Sequence, residues 1–345
     1  PLLRLLPARG GRQPHPADRD AHRRLDQHRA RPADRVRIPV GHRRRRRRHL
    51  RPQRRIPEEK EKRISKITLN VVLFLNLSIL FVFKYYNFFI ENVSAVSGMR
   101  LPLLKVALPV GISFYTFQAL GYSIDVYRGT IKAEKNPFRY ALFVLFFPQL
   151  VAGPIERADN LLPQMQKPTY FDIDNLQKGL LIMGWGMFMK VVIADRLSIF
   201  VDNVYNGYAQ ADGAMLLLAT VLFALQVYCD FASYSVIALG AAKTLGFNLM
   251  RNFNFPYCSK SLAEFWDRWH LTLTRFFTKY VYIPLGGSRR GKVRTYSNVF
   301  IVFLVSGIWH GANWTFIVWG ICHGLFSVFT RIFKKAFDKI PKIIN

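Results

Sequence analysis

Two histidines stand where a polar side chain is costly. His310 lies in NVFIVFLVSGIWHGANWTFIVWGICHG (298–324), twelve residues beyond Asn298, where the apolar run begins. At about 1.5 Å per helical residue this is about 18 Å in, near the middle of a hydrocarbon core about 30 Å thick. Ionisable groups at such depth mark functional sites by default. A neutral imidazole there can act as general base for an acceptor hydroxyl. It can equally serve as packing glue, hydrogen-bonded to a neighbouring helix. Gly307 and Gly311 flank it and admit another backbone or a substrate at close range. Asn313 at i+3 and Trp314 at i+4 fall on the same helical face. His323 lies 13 residues on, about 220° around a helix, and reads as structural.

His270 lies inside EFWDRWHLTLTRFFTKYVYIPLGG (264–287). This stretch reads as an amphipathic interfacial helix leading to a Pro-Gly-Gly turn. On its own, His270 reads as an interfacial or packing residue. Asp230 is a pocket group or an ion-pair partner, and Lys190, Asp195 and Arg196 read as ion-pairing residues. Gln118, Gln149 and Gln226 either line a polar tunnel or are helix-packing amides. GGSRRGK (286–292) fits the phosphate-loop spacing, but Val293 stands where a metal-binding Ser or Thr is needed. Cys229, Cys258 and Cys322 are far apart and form neither a metal nor a redox spacing.

The elements that must position these residues are apolar runs. Residues 67–90 carry one charge, Lys84, in 24 positions, enough to span a bilayer. Lys84 beside Tyr85 and Tyr86 reads as a snorkelling cation in an aromatic belt. Residues 101–124 form a second candidate span, interrupted by Pro102, Lys105 and Pro109. Residues 138–152 are apolar but short, which suits a re-entrant or buried segment. Residues 178–201 follow, then 213–245 as one span plus a partial one, and 298–332 as one span and much of another. The basic loop SRRGKVR (288–294) marks the cytoplasmic side.

Charge is distributed unevenly. The chain has 345 residues and a formal charge of +29. Residues 1–55 hold 19 Arg and 4 Asp, a net of +15, with no Lys and no aromatic residue. Their vocabulary is that of G+C-rich codons read in a wrong frame, so this segment is expected to be non-native or disordered and is set aside. Nucleic-acid binding through it would ordinarily draw on Lys and interleaved aromatics as well. Residues 56–345 form the membrane domain, expected to be truncated at both ends.

Several motifs carry a resemblance. FKYYNFF (83–89), LPVGISFYTFQALGYSIDVYRG (108–129), FFPQLVAGPIERADNLLPQM (146–165), YCDFASYS (228–235), EFWDRWHLTLTRFF (264–277), YIPLGG (282–287) and SGIWHGANWTFIVWGICHG (306–324) run in order along the chain. This body resembles the membrane-bound O-acyltransferase family. It is most similar to the bacterial branch with the alginate O-acetyltransferase membrane subunit and the D-alanyl transfer protein of teichoic acid, and closer to the alginate type.

The resemblance implies an all-α polytopic fold with re-entrant and interfacial helices around a central tunnel. It implies acyl transfer from a thioester such as acetyl-CoA, with no bound cofactor, towards hydroxyls of an exported polysaccharide. It places the enzyme in a bacterial cell membrane beside a secreted or membrane-anchored acetyltransferase partner. His310 carries over as the catalytic residue and His270 as a second tunnel residue. Asn313, Trp309, Asp230 and Gln118 become tunnel or oxyanion candidates. Arg289, Arg290, Lys292 and Arg294 become a loop guiding an anionic donor. The chain departs from the family pattern at Ala232, Ser233 and Val236, and at Thr278 and Lys279, where an Arg-Asp pair is usual. The competing reading is a transporter or channel-like protein, which paired inverted repeats would favour; none is evident.

Overall fold

Hydrocarbon offers no partner for backbone N–H and C=O groups, so apolar runs must close their hydrogen bonds internally. This chain closes them as helices. A computed structural model describes residues 59–150 and 153–333. Segment 1–55 and the basic residues from Lys334 onward lie outside the described residues. Among the described residues the fold is all-helical.

The first run forms α1 (Glu59–Leu80), a π-helical segment (Phe81–Tyr85) and α2 (Tyr86–Ser97). Its portion Ser65–Ser97 is long and apolar enough to cross a membrane, as are two later helices. The predicted span over 101–124 is not a single helix. Residues 98–109 are irregular, as Pro102 and Pro109 would dictate. Helix α3 (Ile112–Tyr127) starts only after Gly111, at φ +77°. A Cβ on Gly111 would lie 2.1 Å from the Leu150 carbonyl oxygen.

The short apolar stretch becomes α4 (Pro137–Val144) and α5 (Phe147–Leu150). Asn136 caps α4 by accepting from the Phe138 and Arg139 N–H groups, with Pro137 at the first helical position. Phe143 and Phe146 bury against Leu161 and Leu162 of α6 (Ala158–Met165). This is a short, non-spanning segment as expected, with one face buried while Phe138, Leu142, Leu145 and Phe147 are exposed.

Helix α7 (Ile173–Met187) continues through a π segment (Phe188–Ala194) into α8 (Asp195–Asn206). Helix α9 runs unbroken from Gly213 to Thr244, 32 residues. One span plus a partial one was expected. The segment has no Pro and a good N-cap, Asp212, whose carboxylate accepts the Met215 N–H, so nothing interrupts it. At about 1.5 Å per residue it is about 48 Å long, more than a bilayer core needs. Helices α7 and α9 pack backbone to backbone: a Cβ on Gly179 would lie 2.7 Å from Gly240 O. Small residues allow such contact where apolar surface gives no driving force.

The amphipathic stretch is not one helix. It forms α10 (Leu262–Trp266), a turn, α11 (Leu271–Phe277) and a π segment (Thr278–Tyr282). The final hairpin is α12 (Lys292–His310) and α13 (Trp314–Ile332). A Cβ on Gly307 would lie 2.4 Å from Phe316 O, so this pair also touches through backbone.

Replacing Gly240 by Leu would drive a side chain into Met183 and Gly179 of α7. We expect a lower melting temperature in detergent, with a destabilisation of at least about 1–3 kcal/mol from overpacking. An unchanged melting curve would contradict this packing.

Candidate active site

Helix α12 stops at His310. Gly311 continues in extended conformation (φ −165°, ψ 151°), and Asn313 caps α13 by accepting the Thr315 N–H at 2.9 Å. The face shared by His310, Asn313 and Trp314 therefore does not exist, since it assumed an unbroken helix. Asn313 is exposed, its carboxamide oxygen also takes the Thr315 hydroxyl at 3.0 Å, and it borders neither large cavity. The structure gives Asn313 a helix-capping contact and does not bring it to the cavities that His310 borders. Counted from Lys292, where the helix begins, His310 lies 18 rises along, about 27 Å. It sits at the tip of a hairpin rather than midway along a span.

His270 lies in the break between α10 and α11. Its backbone is left-handed (φ 44°, ψ 54°), a conformation that costs energy in a residue with a Cβ. Neighbouring bonds hold it there. Asn254 N–H donates to Arg268 O at 2.9 Å, and Leu271 N–H donates to Asn252 O at 2.8 Å. The Thr272 hydroxyl donates to Asn252 Oδ1 at 2.6 Å and accepts the Ile155 N–H at 3.0 Å. His270 is 3% exposed, and Phe231 meets its ring edge to face at 4.8 Å.

Both histidines border two cavities. One, about 350 Å³, runs from them past Tyr282 and Ser327 to Thr330 and Arg331. The other, about 740 Å³, is bounded by Lys84, Ser113, Thr220, Tyr257 and His323 as well. Trp266, Trp269 and Trp319 border both. Hairpin antiparallelism puts Arg331 at the same end as Lys292, so the smaller cavity leads to the end carrying the basic loop. Arg289, Arg290, Lys292 and Arg294 are exposed there.

The two imidazoles differ in access. Both ring nitrogens of His270 are sealed and have no hydrogen-bond partner. His310 is only half-buried, with Trp309, Phe316 and Trp319 around its ring, and its nitrogens are not sealed. Such an imidazole can exchange a proton with a molecule in the cavity. Buried polar atoms left unpaired are few in native proteins and call for an explanation. Among those found here, both nitrogens of His270, Trp266 Nε1, Trp309 Nε1 and His323 Nδ1 belong to residues that border the cavities.

Other predicted residues lie elsewhere. Asp230 borders neither large cavity; Lys190 holds it at 2.5 Å and Asp195 at 2.8 Å. Gln118 is a packing amide that donates to Phe143 O at 2.6 Å and accepts from Gln149 at 3.0 Å. Gln226 is half-buried with its carbonyl oxygen unpaired. Trp309 borders the larger cavity and stacks on Phe117 at 5.1 Å.

Two residues were misread. Lys84 does not snorkel: its ammonium donates to Trp309 O and, at 3.0 Å, to Ser113 Oγ. A single charge in a long apolar run was the available signal. His323 reaches the cavity because the hairpin reverses at residues 311–313, and it packs edge to face with Trp266 at 5.2 Å. Angular bookkeeping along one helix could not find this.

Residues 132–342 match the MBOAT, membrane-bound O-acyltransferase, family. The chain belongs to this family and is a polytopic membrane protein. It is 40% identical over 275 residues to the probable alginate O-acetylase AlgI of Pseudomonas putida, covering 79% of this chain and 56% of that protein. It is 36% identical over 310 residues to the peptidoglycan O-acetyltransferase of Helicobacter pylori, covering 81% and 59%. It is 31% identical over 249 residues to the teichoic acid D-alanyltransferase of Streptococcus thermophilus, covering 68% and 60%. The chain thus spans about half the length of the curated relatives it matches.

Glu156, in the loop before α6, is 2% exposed and supports the His270 break from behind. Its carboxylate accepts the Met250 N–H and the Asn160 amide, the latter at 2.7 Å, which anchors the strand of chain leading to Asn252. Burial pushes its carboxyl up from 4.5 to about 7, against the pull of those hydrogen bonds. Above about pH 4.5 the unfolded chain releases a proton that the fold retains, so stability falls as pH rises and levels off above about 7. We expect the melting temperature in detergent to decline by several degrees across that window, and Glu156→Gln to flatten the decline. Equal slopes for both proteins would refute this.

Proposed function

We propose that the protein is an O-acyltransferase that moves an acyl group, acetyl by preference, from a thioester donor to hydroxyls of an exported polysaccharide. The observation that carries this reading is the accessible imidazole of His310, set where two cavities meet. The relatives named for O-acetyl transfer share more identity with this chain than the one named for D-alanyl transfer, which favours acetyl.

In this reading the donor enters through the cavity that leads to Arg331 and the basic loop. Arg289, Arg290, Lys292 and Arg294 attract its negative charge. The acceptor enters through the larger cavity. His310 takes the proton of the acceptor hydroxyl while its oxygen attacks the thioester carbonyl. The resulting tetrahedral oxyanion collapses, the C–S bond breaks, and the departing thiolate takes the proton back from His310. Of the tunnel or oxyanion candidates, Trp309 is the one that borders the larger cavity and is adjacent in sequence to His310, and its unpaired Nε1–H is the donor offered to the oxyanion. A small local shift must expose it, since it is sealed in the resting structure. A secreted or membrane-anchored partner, placed at a bacterial cell membrane, completes transfer to the polymer; this part rests on the family resemblance.

His310→Ala in the intact gene should lower polymer O-acetylation by about 10²–10⁴-fold, the usual contribution of a general base. His270→Ala should lower it less, because the His270 nitrogens are sealed from the cavity. Normal acetylation with normal levels of the His310→Ala protein would sink the assignment.

A further inference from the structure

The helix that presents His310 has an unusual ending. The last carbonyls of an α-helix have no intrahelical donor and are ordinarily closed by the chain that follows. At the end of α2 the Gly98 N–H returns to Ser94 O at 2.9 Å, and at the end of α13 the Phe333 N–H returns to Phe329 O at 3.0 Å. Gly311 is extended, and its N–H makes no such return at the end of α12. The closure comes from another helix. Lys84 donates its ammonium to Trp309 O, and Tyr85 donates its hydroxyl to Ile308 O at 2.9 Å and Trp309 O at 3.4 Å. These two carbonyls immediately precede His310.

The donors are adjacent in sequence, and adjacent residues on a regular helix point about 100° apart. They lie in a π-helical segment, Phe81–Tyr85, and both long side chains reach the end of α12 from it. Ser113, in the second turn position of α3, accepts a further Lys84 N–H and fixes the ammonium laterally. The Lys84 ammonium also lies 5.5 Å from the Trp309 ring centroid. A cation at this place complements the negative end of the α12 dipole. Lys84 and Ser113 border the same cavity as His310.

We propose that Lys84 and Tyr85 are positioning residues: they end α12 at His310 and fix the direction in which its imidazole meets the cavity. This deepens the acyl-transfer reading and rests on it for the activity readout alone. Lys84 retains one N–H beyond those given to Trp309 and Ser113, so it also brings positive charge to the cavity wall.

The test uses the intact gene product in membranes, with Lys84→Met, Lys84→Arg and Tyr85→Phe. Lys84→Met should lower kcat by about a hundredfold, the cost of misplacing a reacting group by about 1 Å, with KM for the thioester little changed. Lys84→Arg, which keeps a cation and donors, should restore most of the rate, and Tyr85→Phe should fall between. A second arm needs no turnover: diethyl pyrocarbonate labelling, mapped by mass spectrometry, reports the reactivity of His310. Lys84→Met should change its labelling rate severalfold in a protein that stays folded, its melting temperature lowered by only a few degrees because Tyr85 still meets Ile308 O and Trp309 O. Parent-like kcat and labelling in Lys84→Met would overturn the proposal, as would Lys84→Arg behaving like Lys84→Met. If His310→Ala proves fully active, the acyl-transfer reading fails, and the labelling arm still decides on the clamp.

Discussion

A helix broken within a membrane protein leaves backbone N–H and C=O groups without intrahelical partners, and the site of this protein is organised around two such breaks. At His310 the orphan carbonyls are met by Lys84 and Tyr85 from the first helical run. At His270 the chain turns through a left-handed residue whose flanking N–H and C=O groups are met by Asn252 and Asn254. Each stop would be costly in isolation. Each is sustained because distant segments supply the missing partners, so both histidines are held by tertiary contacts rather than by helix propensity. Glu156 and Ile155 extend the same logic one layer back, tying the 250s loop to the break at His270.

The π segments belong to this pattern. Three occur among the described residues, Phe81–Tyr85, Phe188–Ala194 and Thr278–Tyr282, and each contains one lysine. Lys84 reaches the end of α12, Lys190 reaches Asp230 and Asp195, and Lys279 reaches Asp125 at 2.6 Å. An extra residue in a turn swings a side chain off the regular face and towards a neighbouring helix. In an apolar setting this gives a long cation a fixed partner instead of a route to the membrane surface. Snorkelling was the natural expectation for Lys84, and it assumed a regular helix.

Much of the architecture was legible in the sequence because hydrophobic length and proline placement act locally. The long apolar runs became helices, Pro102 and Pro109 kept their segment irregular, and the helices between Pro137 and Leu150 stayed too short to span. The candidate site was legible in its principal residues: His310 and His270 do border common cavities. What failed were inferences that carried helical periodicity through a break. Asn313 was placed on the His310 face and His323 away from it; the turn at 311–313 breaks the first face and brings His323 to a cavity that His310 also borders. Nothing in a 3.6-residue period announces where an apolar run folds back; the Gly-Ala-Asn sequence at 311–313 was the available cue.

The departure from the family pattern at Thr278 and Lys279 can now be read physically. Lys279 finds its acid on α3, at Asp125. Asp125 is 3% exposed and accepts from both Lys279 and Tyr280, the latter at 2.9 Å. A buried carboxylate without these partners would be strongly destabilising, whereas the pair, once formed, contributes little net energy over an apolar contact. Its value lies in registry, since it joins α3 to the π segment that follows α11 and so fixes the distance between the two walls that carry Phe117 and Phe276, stacked at 4.2 Å. Phe117 in turn carries Trp309 on its face at 5.1 Å. The ion pair therefore sits at the outer end of a stack of rings whose inner end is the residue before His310. The contact between Lys279 and Asp125 across this interface keeps that stack in place.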